Sequence, residues 1–133
     1  MIKQLAHICI SSQDLELTKR FYTQALGLDI AFAFEKEGEV FGFYIKVGNR
    51  TFIEVFQGDP GTPGNIRHVA IEVSDLDALL AQIRAAGFEV EDKTMGADNS
   101  WQAWTTDPNG VRIEFHQYTP QSKQITGGRC IVG

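Results

Sequence analysis

Apolar and polar positions follow the same order twice along this chain. Residues 7–30, HICISSQDLELTKRFYTQALGLDI, and residues 68–90, HVAIEVSDLDALLAQIRAAGFEV, each lead from a histidine into an apolar strand pattern. Each then passes a turn containing Asp-Leu, a helical stripe, a glycine and an acidic-flanked strand. The copies differ by one residue in helix length, so each opens one half of the protein. In the first, Leu15, Phe21, Tyr22, Ala25 and Leu26 form the stripe, Ser11 with Asp14 fits a capping box, and Gly27 stops the helix. In the second, Leu76, Leu79, Leu80 and Ile83 form the stripe, Ser74 with Asp77 repeats the box, and Gly87 stops it.

Strand periodicity follows each helix. The expected strands are Leu28 to Phe34, Val40 to Val47 and Thr51 to Phe56 in the first half, with Gly48-Asn49 as a hairpin turn. In the second they are Phe88 to Lys93, Trp101 to Thr106 and Val111 to Tyr118, with Asp107-Pro108-Asn109-Gly110 as the turn. Each half therefore reads βαβββ, over residues 1–57 and 66–118. GDPGTPGN at 58–65 has the composition of a linker, and 119–133 is a polar, Gly-rich tail expected to trail or to pack on a partner subunit.

Polar residues interrupt the apolar strands at matched places. His7 and His68 start the first strand of each half, and Glu54 and Glu114 interrupt the last, in TFIEVF and VRIEFH. His7 precedes Glu54 by 47 residues and His68 precedes Glu114 by 46. Strand alternation sets both histidines and both glutamates opposite the β-branched face that takes the helix. An unpartnered imidazole in a strand buried on both faces costs about 1 to 3 kcal/mol, and an unpaired carboxylate more. One divalent cation satisfies all four side chains. Imidazole and carboxylate ligands suit Ni, Zn, Co, Mn or Fe and leave positions for water or substrate.

Other residues are drawn to this reading by position. His116 and Arg112 share the strand face of Glu114. His116 is a partner of Glu114, a substrate contact or a solvated residue, and Arg112 pairs with Glu114 or a substrate anion. Trp101 and Trp104 beside the MGADNS loop are either a pocket wall or core, while Phe41, Phe43, Phe52 and Phe56 read as core.

Composition narrows the alternatives. A chain of 133 residues, 43% of them hydrophobic, builds one core or two small modules sharing one. Seventeen acidic against twelve basic residues give a net charge of -5, and no Lys/Arg cluster tracks a phosphate backbone, which argues against nucleic acid. No apolar run approaches the roughly 20 residues that span a bilayer, and no signal segment is evident, so a cytoplasmic protein without membrane contact is expected. Cys9 and Cys130 do not form a disulfide framework, and Cys9 reads as a small buried hydrophobe.

The repeated H-x-x-apolar-x-x-x-D-L opening, FYTQALGL and DPNGVRIEF resemble the vicinal oxygen chelate superfamily, over about residues 3–118. That superfamily includes glyoxalase I, methylmalonyl-CoA epimerase, fosfomycin-resistance transferases, extradiol dioxygenases and bleomycin-resistance proteins. The resemblance implies an α+β fold in which two βαβββ modules form an open eight-stranded barrel-like sheet around a metal site. It implies metal ligands at His7, Glu54, His68 and Glu114, with Glu54 and Glu114 also the catalytic candidates and Glu114 preferred as base. A fourth protein ligand, Glu54, is similar to glyoxalase I, whereas the dioxygenases and transferases use two His and one Glu. The Arg and Asn by which bacterial glyoxalase I holds glutathione are replaced here by Ser11 and Gly58. The expected activity is a metal-dependent lyase or isomerase acting beside a chelated carbonyl of a small molecule, in a homodimer. The alternatives are an Fe(II) dioxygenase, a thiol transferase, or a metal-free binding protein.

Overall fold

The structure, a computed structural model, describes residues 1, 3–61 and 64–132. It divides into two compact units, Met1–Thr62 with Pro108–Gly110, and Pro63–Asp107 with Val111–Gly133. The 58–65 segment read as a linker includes Thr62 and Pro63, which lie outside the described residues.

In the first unit the chain forms β1 (His7–Ser12), α1 (Leu15–Arg20), a π-helical turn at Phe21–Ala25, β2 (Asp29–Lys36), β3 (Glu39–Lys46) and β4 (Phe52–Gln57). The sheet order is β1-β4-β3-β2, with β1 parallel to β4 and the other pairs antiparallel. The helix begins at Asp14, whose carboxylate accepts the Leu17 N–H at 3.0 Å. Ser11 is not the cap because β1 continues to Ser12, whose hydroxyl accepts the Asp14 N–H and bonds the Thr18 hydroxyl at 2.9 Å in the interior. Phe21, Tyr22 and Ala25 bury the helical stripe against Phe43, Ile45, Ile53 and Val55. Burial of each of the larger apolar side chains, such as Phe21, Ile45 or Val55, contributes about 1.5–3 kcal/mol.

The second unit repeats this plan as β5 (Val69–Glu72), α2 (Leu76–Ala85), β6 (Thr94–Met95), β7 (Trp101–Thr106) and β8 (Arg112–Gln117), in the order β5-β8-β7-β6. β5 and β8 are parallel. Asp75, not Ser74, caps α2 through the Ala78 N–H. The helix ends in a Schellman arrangement: Gly87 N–H donates to the Arg84 carbonyl, Phe88 N–H to the Ile83 carbonyl, and Gly87 takes φ 88°. Leu76, Leu80 and Ile83 are buried with Ala103, Ile113 and Phe115.

Among the described residues the α+β class, both βαβββ orders and eight strands are as the sequence implies. The strands lie in two sheets of four, neither closed. The strand expected over 88–93 shrinks to the Thr94–Met95 ladder. Residues before it run alongside β7 through single contacts, Glu91 N–H to the Trp104 carbonyl and Thr105 hydroxyl to the Glu89 carbonyl. Asp107 accepts the Val111 N–H on its side chain and closes the turn expected there. Among the described residues no helix is long and apolar enough to cross a membrane.

The tail does not trail at its start. Thr119 and Ser122 donate their hydroxyls to the Asn99 carbonyl, Lys123 N–H donates to the Asp98 carbonyl, and residues Lys123–Thr126 make one helical turn, α3. Asp98 is the anchor. The Gln124 amide, 2.7 Å from its carboxylate, is the main cause holding the carboxyl below its ordinary range, aided by the Ser100 N–H and the charge of His116 against a smaller opposing effect of burial. A carboxyl depressed on folding stabilises fully above its unfolded value, about pH 4, and that contribution is lost as pH falls through the folded value. Amide-exchange protection in Lys123–Gly127 is therefore expected to fall below about pH 4 while protection in β7 and β8 persists. Asp98→Asn is expected to remove the pH dependence.

Candidate functional site

Within the first unit the parallel pairing of β1 with β4 sets His7 beside Phe52 and Cys9 beside Glu54. Alternation turns His7, Cys9 and Glu54 to the face opposite Ile53 and Val55, which are buried under the helix. His7 Nε2 lies 3.8 Å from Glu54 Oε1, the imidazole 41% exposed and the carboxylate 16%. His7 Nδ1 and the Tyr44 hydroxyl share a hydrogen bond of 3.3 Å. With Nδ1 as its donor, Nε2 keeps a lone pair for a ligand on the Glu54 side. Partial burial, and then the hydrogen bond and charge of Glu54, push the Cys9 thiol and the Tyr44 phenol above their ordinary values.

Two expectations change here. Cys9 is exposed rather than buried, because β1 is an edge strand. It is held as the thiol, which makes it a poor nucleophile. Among the phenylalanines assigned to core, Phe43 is buried, whereas Phe41 is 39% exposed and Phe52 and Phe56 are half-buried on the face of Glu54.

In the second unit His68 stands immediately before β5, and its Nε2 lies 3.9 Å from Glu114 Oε1. Glu114 is 8% exposed. His116, two residues on, is buried as well, with Nε2 2.6 Å from the same Oε1. That approach lacks hydrogen-bond geometry and leaves Nε2 without a hydrogen-bond partner. Of the three roles open to His116, the neighbour of Glu114 is the one observed, and solvation is not. Trp104 pairs in register with Glu114 and meets the His68 ring edge-on at 4.9 Å.

Arg112 does not reach Glu114. Its guanidinium lies over Trp104 and pairs with Glu91 at 3.3 Å. Nor do the two tryptophans form one wall, since a spacing of three puts them on opposite faces of β7. Trp101 lies instead under the Lys93 ammonium, 4.5 Å from its ring centre. A cleft of about 850 Å³ in this unit is lined by Arg84, Phe88, Glu91, Trp104 and Arg112, and includes neither His68 nor Glu114.

The repeated pair was legible in the sequence; the Tyr44 contact was missed. Its signal was the alternation Phe43-Tyr44-Ile45, which turns the phenol to the face of Glu54.

The donor sets fit a divalent ion in one respect. Separations of 3.8 and 3.9 Å exceed a hydrogen bond. They fall within the span of two ligands bound at about 2.0–2.2 Å to one bent centre. Among the described residues no three His, Cys, Asp or Glu side chains gather closely enough to hold an ion.

Comparison with known proteins places the chain in a family. Residues 4–115 match the Glyoxalase/Bleomycin resistance protein/Dioxygenase superfamily, and the chain belongs to it. It is similar to the uncharacterized protein YaeR of Escherichia coli K12, 27% identical over 127 residues, 87% of this chain and 97% of that protein. Its fold is that of TnmS3, an antibiotic binding protein from Streptomyces (TM-score 0.73, 22% identity, 89% of this chain and 98% of that one). It is also that of FosX, a fosfomycin resistance protein from Listeria monocytogenes (TM-score 0.71, 20% identity, 90% and 96%).

Proposed function

We propose that this protein is a metal-dependent lyase or isomerase of the glyoxalase type, in which His7 with Glu54, and His68 with Glu114, serve as ligands of a divalent ion, Ni, Zn, Co, Mn or Fe. The observation that carries the reading is the imidazole–carboxylate pair repeated on the first and last strands of both modules. When bound, such an ion would supply Lewis-acid polarisation of a substrate carbonyl. The protein's part is proton transfer. A glutamate takes the proton from the carbon next to the carbonyl and returns it to the neighbouring carbon. Glu114 is favoured for this role because a second imidazole, that of His116, stands beside it with Nε2 2.6 Å from Oε1. Tyr44 orients His7 through Nδ1. The assembly proposed is a cytoplasmic homodimer.

Elemental analysis of protein purified without chelator tests the ion directly, with about one divalent metal per chain expected. Incubation with 2-hydroxy ketones in deuterium oxide is expected to give product labelled at carbon, and full activity after exhaustive chelation overturns the proposal. Oxygen uptake with a catechol, or thiol conjugation to an epoxide, would favour the dioxygenase or transferase alternative instead. Tight binding without turnover or metal would favour the antibiotic-binding role named for TnmS3.

A further inference from the structure

We infer that the ligand offered to His7 and Glu54 carries a planar aromatic ring, which lies on a wall of rings built into the first module. This inference names the substrate class of the site proposed above and rests on that reading for the position of the ligand's oxygens.

The wall follows from strand register. Phe32 pairs with Tyr44, Phe34 with Gly42, Tyr44 with Glu54, and Gly42 with Phe56, so these side chains share the face that carries Glu54. Phe32 stacks on Tyr44 at 4.5 Å with an interplanar angle of 18°, and Phe34 meets Phe56 at 5.0 Å. The register shift opposite Val40 and Gly42 turns Phe41 onto the same layer, stacked on Phe56 at 5.9 Å and 11°. Phe52 adjoins Tyr44 at 5.4 Å. Gly42 is what allows Phe56 to lie flat, because a Cβ there would collide with the Phe56 ring and the Val55 carbonyl.

Scaffold needs do not explain these rings, and the duplication supplies the control. The residues two before and two after the glutamate are Phe52 and Phe56 in the first module, but Arg112 and His116 in the second. The same sheet is built with polar side chains there, so Phe52 and Phe56 are not required by the fold. They are also not hidden, with Phe32 48% and Phe41 39% exposed. A large protein surface laid on this layer would have to desolvate the His7–Glu54 pair at its centre. A small molecule that places a ring on the phenylalanines and its oxygens toward that pair meets both the apolar and the polar parts.

Benzoylformate and pyruvate present the same vicinal oxygens and differ in carrying a phenyl or a methyl group. Titration of both into the zinc-loaded full chain, followed by calorimetry and NMR shifts, is expected to show benzoylformate binding about tenfold tighter or more. Phe32→Ser and Phe41→Ser, both at exposed positions, are each expected to bring that ratio down several-fold with pyruvate binding unchanged. Equal affinities, or a ratio that neither variant moves, overturn the inference. So does sedimentation showing that the variants dissolve a dimer without altering the ratio, which would make the wall a contact between copies of this chain. In chelated protein both acids bind more weakly but the ratio persists. Loss of zinc binding with the ratio intact defeats the proposed function alone, and zinc binding with equal affinities defeats the aromatic-ligand inference alone.

Discussion

Glu114→Gln is expected to cut metal affinity by more than about a hundredfold, because changes to groups merely supporting a ligand already cost about 10–100-fold. Turnover is expected to fall by at least about a further factor of a hundred, the usual share of a positioned proton-transfer group. The substitution keeps volume and removes only the charge, and its thermal consequence runs the other way. Glu114 is 8% exposed and is flanked by His68 at 3.9 Å and His116 at 2.6 Å, neither in a direct hydrogen bond. A neutral amide there is cheaper to desolvate than a carboxylate. The metal-free variant is thus expected to melt at or above the wild-type temperature while failing to retain metal. Calorimetric titration with zinc, beside a thermal scan in chelator, checks both. A variant that binds zinc like the wild type removes Glu114 from the ligand set.

Phe115→Ala is the second large effect. Phe115 is 1% exposed and points from β8 to the side away from Glu114 and His116, among Leu76, Leu80, Ile83 and Ile113. Truncating a buried phenylalanine costs about 3–5 kcal/mol, against a total stability of about 5–15 kcal/mol for ordinary domains. Both tryptophans, Trp101 and Trp104, lie on β7 next to β8, so their fluorescence reports this module during urea unfolding. The midpoint is expected to fall steeply with the slope unchanged. A shift below about 1 kcal/mol would mean that the core relaxes into the gap.

How much was legible depended on whether a signal was local. His7, Glu54, His68 and Glu114 stand at matched spacing in a duplicated pattern, so their strand positions could be read directly, as could the turn at Asp107 and the helix stops at Gly27 and Gly87. The helix caps were misread by one to three residues because serine and aspartate both cap well, and only the end of β1 or the geometry of the turn decides between them. The sixth strand was overestimated because Phe88 to Lys93 has the right alternation but pairs with β7 only through isolated bonds. Arg112 shares a face with Glu114, as alternation requires, yet a long side chain goes where its partners are, here over the Trp104 ring and to the Glu91 carboxylate. Strand period two also separates Trp101 from Trp104, a consequence the sequence already contained. The exposure of Cys9 follows from β1 being an edge strand, a fact of sheet order rather than of composition. The aromatic layer depends on register and on a bulge, neither of which is visible without strand pairing.

The order β1-β4-β3-β2 makes the last strand of a module the inner neighbour of its first. During synthesis, the imidazole of His7 emerges 47 residues ahead of the carboxylate it faces, and its strand has no partner until β4 inserts between β1 and β3. High contact order makes such closure slow, and the pair cannot exist in any partly folded chain that lacks it. The His7–Glu54 pair therefore exists only where the whole module has assembled.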